Sequence, residues 1–374
     1  MAKEYIPGIK VTEATIVRKK RVLPIPGEVL VKKGEKVSSN TVIARTYTPG
    51  DIHFVNVSNL LKIEPEEVPK CMLKRVGDKV DKGELIAEFK ALFGLIKAGC
   101  RSPITGTIID ISSSTGQVTI QEPPIPLVVK AYIPGEVVEV LPKAGAIIET
   151  PAAFIQGIFG IGGEREGELL MLVKSPDEVL TEEKIKPEHA GKIIVGGALI
   201  TGKALKKAIK VGVAGIVVGG IRDVDLTNIL GYDIGVAITG HEDINTTIII
   251  TEGFGKMRMM DRTFNLLKRF EGKKACINGA TQIRAGVIRP EIIIPREDLD
   301  PNKVKEKMTF TKPLEIGARI RIIREPYFGA LGRVISLPEE LQEIETTSKV
   351  RVVEVELDDG RRVIVPRANV EILT

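Results

Sequence analysis

The stretch from Lys256 to Arg289 gathers positive charge. Lys256, Arg258, Arg262, Lys268, Arg269, Lys273, Lys274, Arg284 and Arg289 stand against only Asp261 and Glu271, a net of +7 in a chain whose total is +5. In a helix beginning near residue 257, Arg258, Arg262 and Arg269 share one face with Asn265. Met257, Met260, Phe264 and Leu267 share another, apolar until Glu271. Guanidinium groups at this spacing suit the phosphates of RNA or DNA, with Lys273 and Lys274 extending the patch. The same face equally suits plain exposure to water.

Three glycine turns follow apolar runs: Gly196-Gly197, Gly219-Gly220 and Gly253-Phe254-Gly255. Such turns sit where an α/β sheet keeps its ligands, and amides freed by glycine can hold a phosphate or carboxylate. None has the spacing of a dinucleotide fingerprint or a P-loop, so tight turns explain them as well. Nearby lie Arg222, Asp223, Asp225, His241, Glu242 and Asp243. His241 with a carboxylate suits acid–base work, and the carboxylates suit a cation. Adjacent residues converge on one ion only with help from a loop, and helix capping accounts for them equally. Neither a metal nor a catalytic residue is assigned on these grounds. The basic run Arg18-Lys19-Lys20-Arg21 offers an anion contact or a charged edge strand that resists mispairing.

The elements that must position these residues fall into three blocks. Residues 1–180 form short apolar runs broken by Pro-Gly, Lys-Gly and Gly-Asp turns, and read as nearly all β. A partial repeat recurs in Pro26-Gly27-Glu28-Val29, Gly77-Asp78-Lys79-Val80 and Pro134-Gly135-Glu136-Val137. Each copy leads through a glycine turn toward a second strand. Residues 181–300 change period. Strands over 192–197, 215–220, 246–250 and 292–295 alternate with helices over 201–210, 225–230 and 257–271, and Thr201 stands as an N-cap. That alternation predicts a compact α/β domain with a largely parallel sheet. Residues 296–314 are a charged linker. Residues 315–374 return to β, with Asp358-Asp359-Gly360 as a hairpin turn.

Composition bounds the rest. A chain of 374 residues with 43% hydrophobic content is too long for one core and too apolar for disorder. Only 4% is aromatic and Trp is absent, so Val, Ile and Leu build the cores. Cys71, Cys100 and Cys276 have no paired spacing and read as core fillers. His53, His189 and His241 are too scattered for a zinc site. The start of the chain has no apolar signal segment, and no apolar run reaches bilayer length, so a cytoplasmic protein without a membrane partner is expected. The charged, Val/Ile-rich composition also resembles that of proteins from warm habitats.

Two families are resembled. Gly77-Asp78-Lys79-Val80-Asp81-Lys82-Gly83-Glu84-Leu85-Ile86-Ala87, with Arg101-Ser102-Pro103-Ile104-Thr105-Gly106-Thr107-Ile108, resembles the biotinyl/lipoyl-type barrel-sandwich (hammerhead) fold. Cofactor-carrying members attach their group to a lysine between those motifs. Lys90 and Lys97 lie there, but the interval is about four residues longer than the family's and the tip is loosely matched, so no cofactor is expected. Gly317-Ala318-Arg319-Ile320-Arg321-Ile322, the turn Pro326-Tyr327-Phe328-Gly329, and Gly332-Arg333-Val334 resemble the KOW motif of NusG-like elongation factors and some ribosomal proteins. That resemblance implies a five-stranded SH3-like barrel, with an unusually long, acidic insertion over 338–345. Residues 315–374 hold 9 basic and 11 acidic residues, a poor balance for gripping phosphates in bulk. Tyr327 and Phe328 could stack on a base or fill a protein pocket.

Together these features lead to a non-catalytic accessory factor that binds RNA polymerase, a ribosome or their RNA or DNA. Its expected contacts are Arg258, Arg262, Arg269, Lys273, Lys274, Tyr327 and Phe328. A structural or self-assembly protein is one alternative. An enzyme or small-ligand binder using the glycine-rich crevice of the α/β domain is another.

Overall fold

The structure, a computed structural model, describes residues 9–91, 96–231, 244–281, 288–307, 314–322, 326–327, 329–338, 341–343 and 349–372. Its largest element is an 11-stranded mixed sheet that crosses residue 180. Glu164–Met171, Ile193–Val195, Gly215–Ile221 and Thr247–Phe254 run parallel in that order, with helices Gly202–Val211 and Asp223–Leu230 in the crossovers. Lys274–Asn278, Glu291–Pro295 and Gly145–Gln156 continue antiparallel from Glu164–Met171. The expected parallel sheet is therefore the middle of a larger mixed one.

That sheet closes on itself. The short strand Phe159–Ile161 pairs with Thr247–Phe254, yet only Gly157 and Ile158 separate it from Gly145–Gln156, which lies beyond Glu291–Pro295 in the strand order. Three Cα steps span at most about 11 Å, so these two strands meet and the strands between them close into a ring, with Gly135–Leu141 and Lys36–Val37 continuing outside it. Gly157 marks the kink, where a Cβ would lie 2.7 Å from the Ile249 side chain and 2.9 Å from the Ile250 carbonyl oxygen. The buried residues are mostly Ile, Val, Leu and Ala, including Ile155, Leu169, Ile194, Val217 and Ile249. β-Branched side chains pack well on a pleated sheet, and strands buried on both faces read as continuous apolar runs.

A second unit hangs from this barrel on a ribbon. Val42–Thr48 pairs with Ile125–Lys130, and beyond a bend Ile52–Asn56 pairs with Gln117–Gln121. At the bend the Glu122 amide donates to the Asp51 carbonyl, and a Cβ on Gly50 would stand 2.2 Å from the Glu122 carbonyl oxygen. Residues 52–121 enclose a core of their own, with Val57, Val80, Ile86, Ile108 and Ile120. The glycine turns read from sequence take positive φ at Gly34, Gly77 and Gly83.

The C-terminal residues form a curled antiparallel sheet of six strands rather than the expected five. The addition is Leu341–Glu343, which folds the acidic insertion back onto Lys349–Leu357. Arg362–Pro366 and Val370–Ile372 end the two sides of the sheet and are joined by the turn Arg367–Asn369, which forces the curl. Ile320, Ile322, Val334, Val353, Val355 and Val363 fill it. Among the described residues no helix is long and apolar enough to cross a membrane.

Candidate functional site

The helix that carries the basic face is shorter than its periodicity predicts, running from Asp261 to Arg269. Residues 257–259 are taken by other partners. The Met257 amide donates to the Ala198 carbonyl and the Met259 amide to the Pro176 carbonyl, while the Met260 amide donates to Glu252 Oε1. That segment lies across the ends of the parallel strands, and Met260, extended at φ −60° and ψ 139°, is the cap at which the helix begins. Arg258 is thus outside the helix, and only Arg262 and Arg269 of the predicted trio are on it.

The charges are largely answered within the molecule. Arg258 meets Asp261 at 2.7 Å and Asp177 at 3.0 Å. The hydrogen bond between them raises the Arg258 guanidinium and lowers the Asp261 carboxyl from their ordinary values. Arg269 meets Glu13 at 2.6 Å. Lys274 opens the strand Lys274–Asn278 with its ammonium 3.6 Å from Glu166, and Lys273 is exposed in the turn before it. Arg262 borders a cavity of about 20 Å³ with Glu252 and Arg321. The run Arg18–Arg21 lies on the strand Val11–Val22, where Arg18 pairs with Glu149, Lys19 with Glu291 and Arg21 with Glu164.

Tyr327 is half-buried against the C-terminal core, with the Arg361 guanidinium 5.9 Å from its ring centroid. Phe328, His241, Glu242, Asp243 and Arg284 lie outside the described residues. Lys90 and Lys97 face each other across the hairpin strands Leu85–Ala91 and Ile96–Arg101, and Lys90 pairs with Glu88. The hairpin tip between them also lies outside the described residues.

The glycine turns of the crevice are filled by protein. A Cβ at Gly197 would stand 2.4 Å from the Glu178 carbonyl oxygen. At Gly219 and Gly220 it would stand 2.2 Å from the carbonyl oxygens of Met257 and Gly255. These glycines admit neighbouring backbone over the strand ends, the space a phosphate cradle would need. Beside them a groove of about 450 Å³ is lined by Glu182, Lys203, Lys206, Arg222, Asp225 and Asn228, among others. Thr201 caps the adjoining helix by accepting from the Ala204 amide, as its sequence position predicts. The Asp225 carboxylate already lies against that helix start, 2.4 Å from where a Cβ on Gly202 would be, and is held by Arg222 at 2.7 Å. The carboxylates of Asp223 and Asp225 suit a cation by residue type, and Asp225 is taken by Arg222. Asp223 instead accepts from the Val224 amide, and among the described residues no three His, Cys, Asp or Glu side chains converge on an ion site.

His189 is buried, which lowers its pKa, and its Nδ1 accepts from the Lys186 amide. Cys276 is buried on the opposite face of its strand from the barrel core, beside Val17, Tyr132 and Ile293, where desolvation pushes its thiol up to about 12. Neither is poised for chemistry.

Sequence reasoning missed the most deeply buried charge pair. Arg321, fully buried, reaches from the C-terminal sheet to Glu252 and to the Thr251 carbonyl at the carboxyl end of Thr247–Phe254. The signal was present: a glutamate ending the run Thr246-Thr247-Ile248-Ile249-Ile250-Thr251 must find a cation when buried. Arg321 alternates with the core residues Ile320 and Ile322, so it leaves the C-terminal sheet on its opposite face. No protein-family model matches the chain, and no curated protein matches it.

Proposed function

We propose that the protein is a non-catalytic accessory factor that docks through protein contacts onto a large transcription or translation assembly, RNA polymerase or the ribosome. The observation that carries this reading is the internal pairing of its arginines. Arg258, Arg269, Arg319, Arg321 and Arg361 are each held by carboxylates of the same chain. An arginine so paired must give up its partner before it meets a phosphate, which reduces the gain from counterion release. On the C-terminal sheet Ile316 and Ile364 are exposed, surface that suits a protein partner. The resemblance to KOW domains supplies the class of assembly.

A small-ligand role is the second reading, favoured by the groove beside Thr201, whose volume falls in the range of ligand sites. Its cations already face Glu182 and Asp225, which ranks it second.

Co-sedimentation with purified ribosomes and RNA polymerase, beside salt titrations with RNA and duplex DNA, tests the first reading. Binding to one assembly should survive Arg258→Gln, Arg262→Gln and Arg269→Gln together. Tight RNA or DNA binding whose salt dependence falls in that triple variant would overturn it in favour of a nucleic-acid contact.

A further inference from the structure

Strand Ile52–Asn56 is the outer strand of the four-stranded sheet in the appended unit. Its hydrogen-bonding parity is fixed at both ends. The Glu122 amide donates to the Asp51 carbonyl, and the Val57 amide donates to the Gly116 carbonyl. Bonded pairs alternate in an antiparallel ladder, so His53 and Val55 bond inward to Gln117–Gln121. The amides and carbonyls of Ile52 and Phe54 therefore point away from the sheet, and no strand among the described residues pairs with them. Their side chains are 50% and 67% exposed.

An open edge of this kind templates strand pairing, and proteins protect such edges with charge or proline. The other sheet edges between residues 11 and 130 follow that rule. Val11–Val22 carries its basic run, Lys36–Val37 and Lys79–Val80 each a lysine, Glu28–Val29 a glutamate, and Ile125–Lys130 a proline and a lysine. The outer hairpin strands Leu85–Ala91 and Ile96–Arg101 carry charge as well. Ile52-His53-Phe54-Val55-Asn56 carries neither lysine, arginine, acid nor proline.

We propose that this edge is a self-association site, where the strand Ile52–Asn56 of a second copy adds antiparallel about a twofold axis at His53. The occupant follows from the chemistry of the edge. Parity requires outward residues to face outward residues, and this register sets Ile52 of each copy against Phe54 of the other, a β-branched–aromatic pair. It sets His53, whose Nε2 lies 3.0 Å from Glu122 Oε1, against its own copy, and brings no lysine, arginine or acid of the strand into the pairing. Any other sheet edge between residues 11 and 130 would bring a charge or a proline into the pairing. Two four-stranded sheets become one continuous sheet, isologous as a twofold requires. Five residues per copy give an interface below about 1,200 Å², in the range of weak, reversible encounters.

Sedimentation velocity of the full chain from micromolar to millimolar concentration tests this. The wild type should pass from monomer to dimer. Phe54→Lys and Ile52→Lys, made separately, should each remain monomeric where the wild type dimerises, with unchanged circular dichroism. Amide hydrogen exchange gives a readout without substitution: the amides of Ile52 and Phe54 should gain protection as wild-type concentration rises. A wild type that stays monomeric throughout overturns the proposal. So does a dimer that both folded variants preserve, or exchange at Ile52 and Phe54 that ignores concentration.

Discussion

Two small β units are attached to the same barrel in opposite ways. The C-terminal sheet is pinned by a side-chain pair, Arg321 on Glu252, buried at the end of a parallel strand. The unit over residues 52–121 is held by main chain, two antiparallel strands that leave a three-stranded sheet and bend at Gly50, and encloses its own core. A buried ion pair tolerates one geometry only, so it fixes orientation while adding little net stability. A ribbon carries position through backbone pairing and leaves the unit beyond it energetically separate. The first arrangement makes barrel and sheet one body; the second gives a unit that can lose its fold alone.

The comparison breaks most readily at the ion pair. Arg321→Met leaves Glu252 buried without its cation and should cost about 3–5 kcal/mol in urea unfolding of the full chain. Adding Glu252→Leu should restore most of that loss, as apolar replacement of a whole buried pair does. If the single variant unfolds like wild type, the C-terminal sheet is not fastened there.

In the appended unit, Ile108→Ala removes a fully buried side chain and should cost about 2–5 kcal/mol. Calorimetry should show one transition lowered and the barrel transition unmoved. A common shift of both would show that the ribbon couples the two cores. Gly50→Ala acts between them. The added methyl meets the Glu122 and Pro123 carbonyl oxygens and should cost about 1–3 kcal/mol. Hydrogen exchange should place the loss at the bend, with both cores still protected.

The smallest effect belongs to a pair whose carboxylate is exposed while its arginine lies against Phe270. The Arg296 guanidinium, 2.6 Å from Asp298, lowers that carboxyl to about 2. A folded pKa below the unfolded one stabilises above the unfolded value, near 3.9, and that contribution fades as pH falls through about 2. Carboxyl carbon shifts in NMR should follow this midpoint, and Arg296→Gln should return it toward the ordinary range.

Local rules were legible before the structure. Thr201 as a cap, the helix after it, and the Ile-rich strands follow from hydrogen bonds and periodicity within a few residues. The Asp358-Asp359-Gly360 turn does so too, with Gly360 at positive φ. The helix starts at Asp261 rather than 257 because Met257 and Met259 are bound to segments about 60 and 80 residues away and Met260 is held extended. No periodicity records such a competitor. The glycine turns were recognised, but their occupant, a neighbouring backbone, was visible only in three dimensions.

By itself the sequence determined the class of each segment, the apolar faces and the total of charge, because these depend on residue type and near neighbours. Tertiary structure alone decided that a mixed sheet closes where Gly157 and Ile158 join Gly145–Gln156 to Phe159–Ile161. It also decided which acid meets which base. Arg18 finds Glu149, Lys19 finds Glu291, and Arg321 finds Glu252. Coulomb attraction acts through space, and only the folded chain sets the distances over which it acts.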